Sequence, residues 1–107
     1  MEFFTTDLDG VTRMEPGAVD RLDILTSVEE AVEADYPEVY LTSGKGIVLG
    51  YRRGGILLWE EEGQVLRTLG GISPAKAAEA WTLLAGGEVE ALQALPWKPW
   101  RATGERS

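Results

Sequence analysis

With no histidine and no cysteine among its 107 residues, any catalysis by this chain falls to Asp, Glu, Ser, Thr, Tyr or Lys, and the carboxylates are the most numerous of the acid–base groups. Asp7 and Asp9 stand two apart, after the apolar pair Phe3-Phe4 and just before Gly10. Glu60-Glu61-Glu62 is a run that would offer oxygens to a metal ion or to an arginine-rich partner, although such a run is first of all a solvated turn. A calcium loop beginning at Asp7 needs a bidentate glutamate in its last slot, which is Ala18, so calcium is not expected. Lys45 between Gly44 and Gly46 lies in a loop too short to cradle a phosphate. Arg52-Arg53, ahead of Gly54-Gly55, is the one local basic cluster and fits a hairpin end. Paired carboxylates alone support hydrolysis in some enzymes. Here no lysine, serine or tyrosine stands in a recognisable relation to the acids, so the expectation is a protein that is not an enzyme, with no metal site and no cofactor.

The distribution of charge is more informative than any motif. Eleven of the eighteen acidic residues lie in the first 38 positions, opposed only by Arg13 and Arg21. That third of the chain carries −9 (eleven acids, two bases) and the remainder +1 (seven acids, eight bases), for a net −8. A charge of this sign repels nucleic acid and anionic lipid, so the expected partners are basic proteins. With 44% apolar residues the length suits one hydrophobic core. The expected layout is one domain over 1–100 and a disordered tail at 101–107. The longest uncharged apolar run, 54–59, is far short of a membrane span, and the first residues lack the pattern of a secretory signal. A soluble, cytoplasmic protein is the expectation.

Local pattern then says which elements position these groups. Residues 2–6 and 11–14 flank the turn dipeptide Asp9-Gly10 and predict an N-terminal hairpin. Apolar residues at Val19, Leu22, Leu25, Val28, Val32 and Tyr36 recur at helical steps. The pairs Thr26/Glu29 and Ser27/Glu30 match capping boxes, which predicts a helix over 27–35 and leaves 18–25 open between helix and strand. Four β-type runs follow, at 38–43, 46–52, 56–61 and 64–69, joined by glycine turns too short for crossover helices, so they predict an antiparallel meander. The two central runs are apolar on both faces, as strands covered on two sides would be. Ser73-Pro74 and Gly86-Gly87 bracket a helix over 74–85, and 88–95 predicts a further helical turn. Pro96-Trp97-Lys98-Pro99-Trp100 predicts an extended segment laid across the domain. The fold class is therefore α+β, a four- to six-stranded antiparallel sheet against an acidic N-terminal helix and a C-terminal helix. Trp59 and Trp81 are expected in the core. Trp97 and Trp100 either close it or serve as aromatic anchors for a partner.

Two resemblances bear on function. Thr6-Asp7-Leu8-Asp9-Gly10-Val11 resembles the nucleophile motif of haloacid-dehalogenase-type phosphatases, which would make Asp7 the nucleophile and Asp9 the acid–base. That family also needs a downstream lysine and a magnesium-binding acid pair on a parallel sheet, whereas the region after 37 offers only hairpins, and Asp-Gly is favoured in turns for backbone reasons alone. The second resemblance covers about residues 20–100. Thr26-Ser27-Val28-Glu29-Glu30-Ala31-Val32, the strand pair over 46–59, and Trp81-Thr82-Leu83-Leu84-Ala85-Gly86-Gly87 running into Leu95-Pro96-Trp97 look like the small α+β immunity proteins of bacterial polymorphic-toxin systems. That likeness implies an inhibitor that occupies the basic cleft of a toxin domain. Asp20, Asp23, Glu29, Glu30, Glu33 and Asp35 would form the docking surface, joined by Glu60, Glu61 and Glu62 and, as anchors, Trp97 and Trp100. A self-associating interaction module using a sheet edge is the alternative, and the oligomeric state stays open.

Overall fold

In the computed structural model of the chain, the described residues are 2–30 and 38–99. Ten elements follow one another: β1 (Phe3–Thr6), β2 (Thr12–Met14), α1 (Ala18–Glu30), β3 (Glu38–Ser43), β4 (Ile47–Arg52), β5 (Ile56–Glu61), β6 (Gln64–Leu69), α2 (Pro74–Ala85), α3 (Val89–Gln93) and β7 (Lys98–Pro99). The strands form one antiparallel sheet in the order β2-β1-β3-β4-β5-β6-β7. At seven strands it is wider than the four to six expected from the pattern. The N-terminal hairpin extends the meander along β3, pairing Thr5 with Leu41, and Lys98–Pro99 adds a short edge against β6.

Turn chemistry sets the register. Between β1 and β2, the Asp7 carboxylate accepts hydrogen bonds from the amides of Asp9 (3.0 Å) and Val11 (2.9 Å), which closes an Asx-type turn. Between β5 and β6, Glu62 and Gly63 both take positive φ, 55° and 78°, as a two-residue hairpin with the right-handed strand twist requires. Ser73 caps α2 by accepting from the Lys76 amide, with Pro74 in the first turn, and Gly86 ends the helix.

The helix expected over 27–35 begins earlier, at Ala18, so the segment 18–25 is helical. In its first turn the Arg21 amide donates to the Gly17 carbonyl at 2.9 Å. The two apparent capping boxes lie inside the helix. The Ser27 hydroxyl donates back to the Ile24 carbonyl at 2.6 Å instead of capping a terminus. The predicted end at 35 lies outside the described residues.

Residues that pair across an antiparallel ladder share a face. One face carries Val39, Tyr51, Leu57 and Leu69 in one row and Leu41, Leu49 and Trp59 in the next. All of these belong to the buried core, together with Ile24, Leu25 and Val28 of α1, Trp81 and Leu84 of α2, and Leu92 of α3. The Trp81 indole N–H donates to the Leu49 carbonyl at 3.1 Å, which pins α2 on this face. The opposite face carries Tyr40, Gly50, Leu58 and Thr68 in one row, with Glu38, Arg52 and Ile56 on one side of it and Thr42, Val48 and Glu60 on the other. Val48, Ile56 and Leu58 lie outside that cluster; Val48 and Ile56 are half-buried, whereas Leu58 is fully buried. The composition of β4 and β5, apolar on both faces, predicts strands covered on two sides; α1, α2 and α3 place their buried residues in the cluster of the first face, and on the second face Leu58 and Gly50 are buried as well. Among the described residues no helix is long and apolar enough to cross a membrane.

Candidate functional site

Helix α1 turns its acids outward because its apolar stripe is claimed by the core. Ile24, Leu25 and Val28 are buried, and at about 100° per residue the far side of the helix falls on Val19, Leu22, Asp23, Thr26 and Glu30. Val19 is 74% exposed and Leu22 39%. Asp20, Asp23, Glu29 and Glu30 are exposed as well. Arg21, the one base of the helix, is withdrawn from them. Its guanidinium donates to the Pro16 carbonyl (2.7 Å) and the Thr82 hydroxyl (3.2 Å), and lies 5.6 Å from the centre of the Phe3 ring. Among the described residues none of the four acids is ion-paired. The two pairs described are Arg52 with Glu38 and Lys76 with Glu79. Glu29 alone has a second task, accepting a hydrogen bond from the Tyr51 hydroxyl at 3.2 Å. Glu33 and Asp35 lie outside the described residues.

The structure does not gather Glu60, Glu61 and Glu62 into one patch with α1. Alternation along β5 puts the Glu61 carboxylate on the helix side, where it accepts from the Trp59 indole N–H at 2.7 Å. Glu62 sits exposed in the hairpin turn. Glu60 points to the opposite face. Trp97 closes the core: it is half-buried, stands edge-on to Trp59 with centroids 5.4 Å apart, and donates to the Leu92 carbonyl at 2.8 Å. Trp100 lies outside the described residues.

On the face that carries no helix among the described residues, the register assembles a polar cluster that motif reading did not single out. Arg52 reaches Glu38 Oε2 through Nε (2.9 Å) and Nη2 (2.7 Å), while the Tyr40 hydroxyl donates to Glu38 Oε1. Both oxygens of Glu38 are thereby occupied. Gly50 lies beside the Tyr40 ring. A Cβ there would come within 3.1 Å of the Tyr40 ring carbon Cδ1 and 3.5 Å of Glu60 Oε2. The Glu60 carboxylate is partly buried and accepts no hydrogen bond from any described residue. Burial lifts its pKa above the usual range, the Glu38 charge adds to that rise, and Arg52 opposes it. Tyr40 is also raised, first by burial and then by its bond to Glu38. The signal for this cluster was present in the spacing. With short turns joining the strands, Glu38 and Tyr40, Gly50 and Arg52, and Leu58 and Glu60 share one parity.

Of the Asp7–Asp9 pair, Asp7 closes the β1–β2 turn, and both acids line a cavity together with Arg13 and Asp23. The Asp7 carboxylate is engaged by two backbone amides, and the strand before it belongs to an antiparallel sheet. Among the described residues no group of three or more acids is placed to hold a metal ion. Comparison with known proteins gives no family: no protein-family model matches the chain, and no curated protein or solved structure is significantly similar to it.

Proposed function

We propose that this chain is a non-enzymatic protein-binding domain that docks a basic partner on the outward side of α1, in the role of an immunity protein that neutralises a basic toxin domain. The observation that carries this reading is the withdrawal of Arg21. With its one base turned inward, α1 presents Asp23 and Glu30 unopposed beside the exposed apolar residues Val19 and Leu22. Apolar contacts ringed by charge of one sign suit a complex whose encounter is steered electrostatically and whose lifetime is set by a few desolvated side chains. The test uses the protein encoded beside this chain, if its product is a toxin. Stopped-flow association is expected to slow about tenfold or more between low and high salt, and Asp23→Lys with Glu30→Lys is expected to abolish both the fast phase and protection from the toxin. An association rate that ignores salt and both substitutions overturns the proposal.

A second reading rests on β2. All three of its residues are exposed, Met14 to 68%, and Val11 beside it is 50% exposed. An open edge of this kind suits pairing between two copies of the chain. It predicts a molecular mass that rises with concentration and barely responds to salt.

A further inference from the structure

The β1–β2 hairpin and α1 flank a cavity of about 330 Å³, lined by Asp7, Leu8, Asp9 and Arg13 on the hairpin side and by Asp23 and Ser27 of the helix. That is the room of roughly ten liquid waters, enough for one long side chain. Three acids and one base line it, and among the described residues none of the four is in an ion pair. The acids do not converge closely enough to hold a metal ion, so the cation that suits them is a larger one. Several acceptors there lack a donor. Asp7 Oδ1 takes the amides of Asp9 and Val11, which leaves Oδ2 without a partner among the described residues. The Ser27 hydroxyl gives its proton to the Ile24 carbonyl, so its oxygen remains able to accept. Thr5 is the register partner of Arg13, so both lie on one face of the hairpin. It is fully buried, and among the described residues its hydroxyl has no hydrogen-bond partner, a costly state unless another group reaches it. Leu8 and Ile24 supply an apolar wall along which a methylene stem can lie. No aromatic ring lines the cavity to stack a guanidinium, whereas an ammonium with three spread donors suits oxygens carried on separate elements.

We propose that this cavity receives a lysine side chain of the basic protein partner, its ammonium held between Asp7, Asp9 and Asp23; because Asp23 also belongs to the outward side of α1, the inference rests on the reading of that helix as the docking face. The test is an NMR titration of the isotope-labelled full chain with tetra-lysine amide, and with tetra-arginine amide for comparison. Saturable shifts are expected at the Asp9, Val11 and Ser27 amides, stronger for the lysine peptide. Asp7→Asn with Asp9→Asn is expected to weaken that binding by about tenfold or more. Asparagine keeps the oxygen that accepts from the turn amides, and cross-strand contacts between Thr5 and Arg13 in the same spectra report whether the hairpin is retained. Asp23→Asn is expected to give a similar weakening without touching the turn. Glu30→Lys, outside the cavity, is expected to leave the hairpin shifts in place. Shifts confined to Val19, Leu22 and Glu30, or hairpin shifts unchanged in the asparagine variants, overturn the cavity and leave the α1 reading standing. Hairpin shifts without any along that outward side support the cavity and count against the wider α1 surface. Equal binding of the two peptides overturns the choice of lysine, and shifts at neither surface overturn both readings.

Discussion

The indole of Trp97 meets that of Trp59 edge-on, with centroids 5.4 Å apart and planes at 85°. On the same Trp59 ring the Arg67 guanidinium rests 4.7 Å from the centroid. Trp59 is thus held between β6 and the segment that follows α3, and this contact accompanies the two-residue pairing of β7 with β6. Trp97→Ala removes the aromatic pair and the bond to the Leu92 carbonyl. Trp97 is half-buried, so the expected loss lies below that of a full core tryptophan, about 2–3 kcal/mol. Urea unfolding of the variant measures it. A loss below about 0.5 kcal/mol would mean that the indole is free to serve a partner instead of the core.

Two adjacent glycines in the β4–β5 turn separate backbone strain from steric exclusion. Gly54 (φ 99°) has nothing within 4 Å of a built Cβ, whereas at Gly55 (φ 82°) the same atom would stand 2.9 Å from the Ile72 carbonyl oxygen. Gly55 also accepts from the Ile72 amide at 2.9 Å, so the backbones cannot separate without losing that bond. Gly54→Ala is expected to cost about 1–2 kcal/mol, for the left-handed conformation alone. Gly55→Ala adds the clash and is expected to cost about 3 kcal/mol or more. Equal losses in chemical denaturation would show that Ile72 yields and that the close approach is not a constraint.

Local signals made much of this fold legible. The bounds of β3, β5, β6 and α2 follow from glycine turns and from Ser73-Pro74, which act within a few residues of themselves. The start of α1 was not legible, because Ser27/Glu30 imitates a cap while the hydroxyl bonds backward to Ile24 inside the helix. Nor was β7, a two-residue strand containing a proline, whose pairing depends on where α3 delivers the chain. For the candidate surfaces, composition shows that α1 carries acids. That Arg21 turns away from them is set by Pro16, Thr82 and Phe3, contacts that no local pattern contains. Parity places Glu60 with Tyr40 and Gly50, but which face the helices cover is decided by tertiary packing.

Alkaline pH tests the bond network under α1. The Tyr51 hydroxyl donates to the Ile72 carbonyl at 2.8 Å and lies 3.2 Å from Glu29 Oε2. Burial first, then the bond to Glu29 and its charge, push the Tyr51 pKa from 10.0 up to about 12. Between those values the unfolded chain has released the proton that the folded chain keeps, so stability is fully present below pH 10 and falls as pH rises toward 12. Tyr40, raised as well, contributes to the same decline. Tyr51→Phe is expected to lower stability at neutral pH by about 1 kcal/mol and to make the alkaline fall shallower. Denaturation midpoints at pH 8 and 11 decide the matter, and an unchanged slope in Tyr51→Phe would show that the hydroxyl is not the titrating group.

The neighbours of Glu60 make opposite demands on it, which gives a paired test of the sheet-face geometry. Burial raises its pKa, Glu38 raises it further, and Arg52 lowers it. Glu38→Gln is therefore expected to bring the Glu60 titration down, and Arg52→Gln to push it up. Both would be read from the side-chain carboxyl carbon by NMR. Because the folded-state value lies above that of the unfolded chain, the folded form holds the proton more tightly, and ionising Glu60 lowers stability as pH rises through the two values. Glu60→Gln is expected to remove that acid-range decline and to leave the protein more stable than the parent at pH 7. If both neighbour substitutions move Glu60 in the same direction, the carboxylate does not sit between Glu38 and Arg52 as the register of β3, β4 and β5 places it.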